Sequence, residues 1–198
     1  MVLTGEEVEL TGQHVVLQRL RVEDAETTLA WRLGERAELL NEGATSVVEQ
    51  AAWIDSRPDS EYNFVIRLKS GKPVGMLSLV NIDLTHRRAE PARFLIGEPD
   101  AVKGVPVAVE ALKLLYEFAF DHLGLQRLHG AVVAENRKML KWHLYLGMKE
   151  EGRLREHQFL DGRFHDIVCV GMMEHEFRET ALPRMNALIR STPSAERT

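Results

Sequence analysis

Side chains that could do chemistry are unevenly spread along this chain. It has eight histidines and one cysteine, Cys169. No Ser-His-Asp, Cys-His or zinc-ligand spacing is legible, so neither an enzyme nucleophile nor a metal centre is indicated. Cys169 alternates into an apolar strand and reads as core packing. Two stretches stand out. Phe94 to Leu125 reads as the end of an apolar strand, a short glycine-containing loop and one long helix. A helix N-terminus directly after a strand presents unpaired N–H groups and a positive dipole end, which makes an anion site; a core helix with an ordinary tight entry turn explains the same residues. The second stretch is a hairpin turning at Asp161-Gly162, the favoured two-residue type I′ pair. Its register sets His157 opposite Asp166, with Arg155, Phe159, Phe164 and Val168 on one face. An adjacent aspartate would raise the histidine's pKa and orient its ring for a substrate; the alternative is a pair that only stabilises the hairpin.

These residues need a frame. The chain has 198 residues, 44% of them hydrophobic, enough for one well-cored domain with a short tail. A net charge of −5 offers no electrostatic case for nucleic acid or an anionic membrane. The single cysteine fits a reducing cytosol. The first ten residues lack a signal peptide's basic and apolar regions, and no apolar run approaches the roughly 20 residues that span a bilayer.

Strands are expected at His14 to Leu20, Asn63 to Leu68, Val74 to Ile82, Ala89 to Gly97 and Arg127 to Val133, followed by the two arms of the last hairpin. Helices are expected from Val22, after Ser46 with Glu49 at capping-box spacing, from Pro106 to His122, and from an Asn136 cap to a stop at Gly147. Glu110, Lys113, Glu117 and Asp121 form the only sustained polar stripe on the central helix. The expected fold is α/β (α+β): a mixed, twisted sheet of six to seven strands with helices on both faces, a single domain over residues 1–176. Residues 177–198 read as an arm, helical or adherent, broken near Pro183 and disordered from Ser191.

This order, with three local motifs, resembles the GNAT superfamily of N-acetyltransferases over His14 to Met173. NRKMLKWHLYLGM, Asn136 to Met148, is similar to the family's N-x-x-A-x-x-x-Y-x-x-x-G-F helix. Ile96 to Leu112 is similar to the acetyl-CoA pyrophosphate loop, written Q/R-x-x-G-x-G/A. VGMLSLVNIDLTHRRAE, Val74 to Glu90, resembles the branch containing ribosomal-protein and spermidine acetyltransferases. Glu151 to Met173 resembles the branch with the acetyltransferase of the pseudaminic acid pathway, which acts on a nucleotide-linked amino sugar. Two positions depart from the pattern. The loop reads Ala101-Val102-Lys103-Gly104-Val105-Pro106, without the first long polar side chain, and His143 stands at the usual tyrosine.

The resemblance implies acetyl-CoA as co-substrate, no metal, and direct attack by a small-molecule amine. Backbone groups of Phe94, Leu95 and Ile96 would hold the pantetheine arm. Val102, Lys103, Gly104 and Val105 would take the pyrophosphate, with Asn136 and Lys138 as further cofactor contacts. His143 would protonate the leaving thiolate, whose pKa is about 8.5, as imidazolium or through water; a merely tolerated helix histidine is the alternative. Glu90 is the candidate base and Glu98 a weaker one, with an ordinary surface charge as the alternative for each. The acceptor reads first as an amino sugar, then as a polyamine or protein N-terminus. A module that binds CoA without catalysis is favoured by Ala101, Pro106 and His143. A cytoplasmic location and a possible homodimer complete these expectations.

Overall fold

The computed structural model describes residues 8–37, 43–58, 60–160 and 162–191. The strands are β1 (Leu10–Thr11), β2 (Val15–Arg19), β3 (Tyr62–Leu68), β4 (Pro73–Asp83), β5 (Arg88–Ile96), β6 (Arg127–Val133), β7 (Lys149–Leu160) and β8 (Arg163–Met173). The helices are α1 (Ala25–Arg32), α2 (Val47–Asp55), α3 (Val107–Glu117), α4 (Arg137–Tyr145), α5 (Glu174–Glu176) and α6 (Leu182–Ser191). All eight strands join one sheet in the order β1-β2-β3-β4-β5-β6-β8-β7. The strand beyond the expected seven is the two-residue β1.

Every neighbouring pair is antiparallel except β5 and β6, which are parallel and paired only at Arg88↔Arg127 and Ala89↔Leu128. Beyond those two residues the strands diverge and the sheet splits. Pro91 lies just past the split, on a strand that has become an edge, where a missing N–H costs no ladder bond.

Both faces of the sheet are covered. Phe64, Ile66 and Leu77 point into the principal core with α3, while Val65, Met76 and Leu95 pack with Trp31 of α1 on the opposite face. The helix caps form as expected. Ser46 accepts from Glu49 N–H, Asn136 accepts from Met139 N–H, and Gly147 stops α4 with φ +104.

Helix α3 uses its polar stripe for contacts with the rest of the molecule. Glu110 is only 4% exposed. Its carboxylate accepts three backbone N–H groups where the chain enters β2: Gln13 at 2.6 Å, His14 at 2.7 Å and Val15 at 3.0 Å. Gly12 makes room for it, since a Cβ there would lie 2.7 Å from Glu110 Cδ. Lys113 pairs with Glu117 at 2.9 Å, and Asp121 pairs with Arg178. The stripe is a row of clamps rather than a solvated face.

The C-terminal segment is helical through Ser191, with no break at Pro183. Phe177 to Ala181 forms a widened π turn in which Leu182 N–H reaches Phe177 C=O. Pro183 then falls in the first turn of α6, where it needs no N–H partner. Phe177, Ala181, Met185 and Ile189, spaced by four, are buried in the principal core. Of the expected disordered tail, Ser191 ends α6 and 192–198 lie outside the described residues. Among the described residues no helix is long and apolar enough to cross a membrane.

Replacing Glu110 with glutamine turns one acceptor into a donor facing backbone N–H groups. Glu110→Gln is expected to cost about 2 kcal/mol of unfolding free energy in urea titrations. Lys113→Gln, on the same helix, should change it by less than about 0.5 kcal/mol. Equal effects would contradict the clamp.

Candidate active site

The split between β5 and β6 opens into a cavity of about 540 Å³. Its walls come from β4 and β5 on one side, β6 and α4 on the other, and α1 and α2 across the top. Three irregularities surround it, each with a non-glycine residue at positive φ: Asn81 (φ 52) in β4, Arg93 (φ 53) in β5 and Glu156 (φ 48) in β7. Each coincides with a register shift in its strand pair, so these are β-bulges that turn side chains away from the sheet's alternation.

Each bulge is held by a tertiary bond. Asn81 Nδ2 donates to Glu90 Oε2 at 2.8 Å. Arg93 donates to Glu61 Oε2 and Asn63 Oδ1, both at 2.9 Å, and its guanidinium lies 5.2 Å from the centre of the Trp53 ring. Arg57 approaches the same ring at 4.6 Å. Burial pushes the Glu61 carboxyl up, but the Arg93 hydrogen bond and charge, with Asn63 and Arg57, outweigh it and hold the group below the ordinary carboxylate range. Glu61 is therefore a fixed, compensated anion. Burial, and then the charge of Arg93, hold Arg32 below the usual arginine value.

The third bulge overturns the expected pairing of His157 with Asp166. Near the tip the register is as read, with Phe159↔Phe164 and Gln158↔His165, but it shifts between Leu154 and Gln158. Asp166 accepts Glu156 N–H at 2.9 Å and Arg153 Nε at 2.8 Å, and these two bonds lower its pKa. His157 is left exposed, and its neighbour Gln158 lines the cavity instead. The apolar face is divided too: Val168 is buried, while Phe159 and Phe164 stack edge to face in solvent. Gly162 has the positive φ that the turn requires; Asp161 lies outside the described residues.

The other expected residues sort by distance from the split. Glu90, Phe94, Asn136 and His143 line the cavity. Leu95 does not: its side chain packs on the far face, leaving only its backbone available. The Ile96 carbonyl is taken by Arg36 Nε at 3.0 Å. Glu98 accepts from Trp31 Nε1 at 2.9 Å and is not in the cavity wall. In the loop before α3, Val102 and Val105 N–H bond to Pro99 and Val102 carbonyls, while Lys103 and Gly104 N–H have no acceptor among the described residues. Gly104 takes φ +75, and Lys103 pairs with Asp100 at 2.8 Å in solvent. Lys138 is exposed on α4.

Gln50, Trp53, Glu61, Asn81, Arg93 and Gln158 were not foreseen. Pro91 within a strand was the available signal for the split. No group of three or more His, Cys, Asp or Glu among the described residues could hold a metal.

Burial lowers the His143 imidazole from 6.5 to about 4, and its buried Nδ1 has no hydrogen-bond partner among the described residues. It is neutral at physiological pH. Between pH 6.5 and 4 the unfolded chain binds this proton and the folded one resists it, so stability falls as pH drops through that window. Urea titrations should show His143→Phe losing part of this acid sensitivity, at most about 1.4 kcal/mol per pH unit. An unchanged pH dependence would contradict the neutral imidazole.

The family model of the acetyltransferase (GNAT) domain matches residues 14–149. Spermidine N(1)-acetyltransferase of Escherichia coli (strain K12) is 31% identical over 118 residues, 60% of this chain and 61% of that protein. The chain thus spans about three fifths of that relative's length. A GCN5-related N-acetyltransferase from Brucella melitensis superposes with TM-score 0.80 at 24% identity, covering 97% of this chain and 90% of that one. The spermidine N-acetyltransferase from Vibrio cholerae, solved in complex with CoA and spermine, superposes with TM-score 0.73 at 22% identity, covering 83% and 98%. At these identities the superpositions speak for the fold alone. The match over residues 14–149, on a sheet split between two parallel strands, places this chain in the GNAT acetyltransferase family.

Proposed function

We propose that the protein transfers the acetyl group of acetyl-CoA to a primary amine of a small molecule. The observation that carries this reading is the cleft where β5 and β6 lose their pairing, opening directly on the cavity. Past Ala89 the cleft side of β5 has no strand partner among the described residues to satisfy its backbone groups. An extended amide-bearing arm such as pantetheine supplies such partners. The free N–H groups of Lys103 and Gly104, ahead of the α3 N-terminus, suit the pyrophosphate. These donors remain despite Ala101 and Pro106, which favours a working cofactor site over a degenerate one.

The step is direct. The amine lone pair attacks the thioester carbonyl, a C–N bond forms, the C–S bond breaks, and the ammonium proton passes on while the thiolate takes one up. Backbone N–H on the Phe94–Leu95 segment is the proposed oxyanion donor. Glu90, oriented by Asn81, is the proposed acceptor of the amine proton, directly or through water. His143, being neutral, serves as a hydrogen-bond donor to the leaving sulfur rather than as an imidazolium acid.

For the acceptor, the cavity favours a polyhydroxylated amine such as a nucleotide-linked amino sugar. Its wall carries carboxamides with one half already committed: Gln50 Nε2 to Thr28, Asn81 Nδ2 to Glu90, and Asn136 Oδ1 from Met139. The other halves can pair with hydroxyls. Glu61 is already neutralised by Arg93, which weakens the wall's attraction for a polycation. The second reading, a polyamine acceptor, rests on relatives named as spermidine acetyltransferases.

Thiol release from acetyl-CoA should occur with amino-sugar nucleotides at lower KM than with spermidine. The reverse order moves the acceptor to a polyamine, and acetyl-CoA binding without release for any amine defeats the catalytic reading. His143→Ala should lower kcat about tenfold or more with KM little changed. Gly104→Val should abolish acetyl-CoA binding in calorimetry, because valine cannot take that φ or permit close backbone approach.

A further inference from the structure

Two neighbouring residues of α1 serve different parts of the molecule. Arg32 stands in the cavity wall, whereas Trp31 packs beneath the end of β5, 7% exposed. The indole fills the space a side chain at Gly97 would need, since a Cβ there would lie 2.2 Å from Trp31 Cγ. Trp31 Nε1 then donates to Glu98 Oε1 at 2.9 Å. Five residues after Trp31, Arg36 donates Nε to the Ile96 carbonyl at 3.0 Å. Three consecutive residues, Ile96, Gly97 and Glu98, are therefore clasped from the α1 side. From the sheet side, Gly97 and Glu98 N–H both bond to Val74 C=O, at 2.9 and 3.1 Å.

This point joins the two halves of the proposed cofactor site. The cleft-facing backbone of Phe94–Leu95 lies just before it, and the Lys103–Gly104 donors lie a few residues after, beyond Pro99. The direction in which the chain leaves β5 sets the spacing between them. Errors of about 1 Å in such spacing are costly for binding and for reaction. The residues explain the arrangement sterically: Gly97 does not have positive φ, so its lack of a side chain serves the indole and not the backbone.

We propose that Trp31 is a positioning residue for acetyl-CoA, holding the β5 exit at Gly97–Glu98 so that the thioester end and the pyrophosphate end of the site are in register. This rests on the acetyl-CoA reading above and adds to it a residue in neither the cofactor loop nor the cavity wall. Glu98, expected as a weak candidate base, becomes the partner of this clasp.

The test measures acetyl-CoA affinity by calorimetry and thermal unfolding without ligand, on the full chain. Trp31→Phe keeps an aromatic ring and loses the donor; Glu98→Ala loses the acceptor; Glu98→Gln keeps an acceptor oxygen. Trp31→Phe and Glu98→Ala are each expected to weaken acetyl-CoA about fivefold to tenfold, with Glu98→Gln within about twofold of wild type and Glu98→Ala still unfolding in one cooperative transition without ligand. Should Trp31→Phe fail to fold, the Glu98 pair decides alone. Wild-type affinity in Glu98→Ala overturns the proposal, as does a loss that Glu98→Gln shares in full. A wild-type protein that binds no acetyl-CoA defeats the parent reading instead, so the two failures are distinct.

Discussion

The parallel pairing of β5 with β6 ends after two residues, and the arrangement of the site follows from that interruption. A sheet interior has few ways to leave strand edges unpaired, because buried N–H and C=O groups without partners are costly. Here the edges face a cavity wide enough to admit solvent or a ligand chain. Pro91 sits where a ladder donor is no longer needed. Beyond the split, the bulge at Arg93 sends its guanidinium to Glu61, Asn63 and Trp53. That irregularity fastens the segment before β3 and helix α2 to the cleft side of β5.

An opened sheet needs support from elsewhere, and α3 provides much of it. Its apolar residues fill the principal core, while Glu110 ties its first turn to the entry of β2 and Asp121, in the π turn Phe118–His122 that continues it, pairs with Arg178. The α5–α6 segment adds the buried stripe of Phe177, Ala181, Met185 and Ile189. The N-terminus of α3 is thus held with respect to both the sheet and the C-terminal helix. The loop before it is held by its own turn hydrogen bonds, Val102 N–H to Pro99 C=O and Val105 N–H to Val102 C=O, which leave the Lys103 and Gly104 N–H groups without an acceptor among the described residues.

Local signals in the sequence were reliable where local chemistry decides. The Ser46–Glu49 capping box, the Asn136 cap, the Gly147 stop and the limits of β6 depend on neighbours within a few positions. The strand, loop and helix around Gly104 were legible for the same reason. Asn81, Arg93 and Glu156 were not, because left-handed backbone at non-glycine residues is uncommon and here depends on partners remote in sequence or across the sheet. The missed bulge at Glu156 displaced His157 and brought Gln158 into the site. Gln50 and Trp53 reach the cavity only through the packing of α2, and Glu61, just before β3, meets Arg93 across the sheet; no spacing rule conveys either. Pro183 misled for a related reason: a π turn lies directly before it, and the helix through it is held by a buried face that local breaker signals do not reveal.

The central claim is that the split between β5 and β6 receives the acyl-donor arm. A crystal structure of the protein soaked with acetyl-CoA tests it most directly. The account predicts the pantetheine lying between the two strands, the thioester carbonyl beside the Phe94–Leu95 backbone with His143 near the sulfur, and the pyrophosphate at the Lys103 and Gly104 N–H groups. Acetyl-CoA bound elsewhere, with the cleft between β5 and β6 filled only by water, would contradict it.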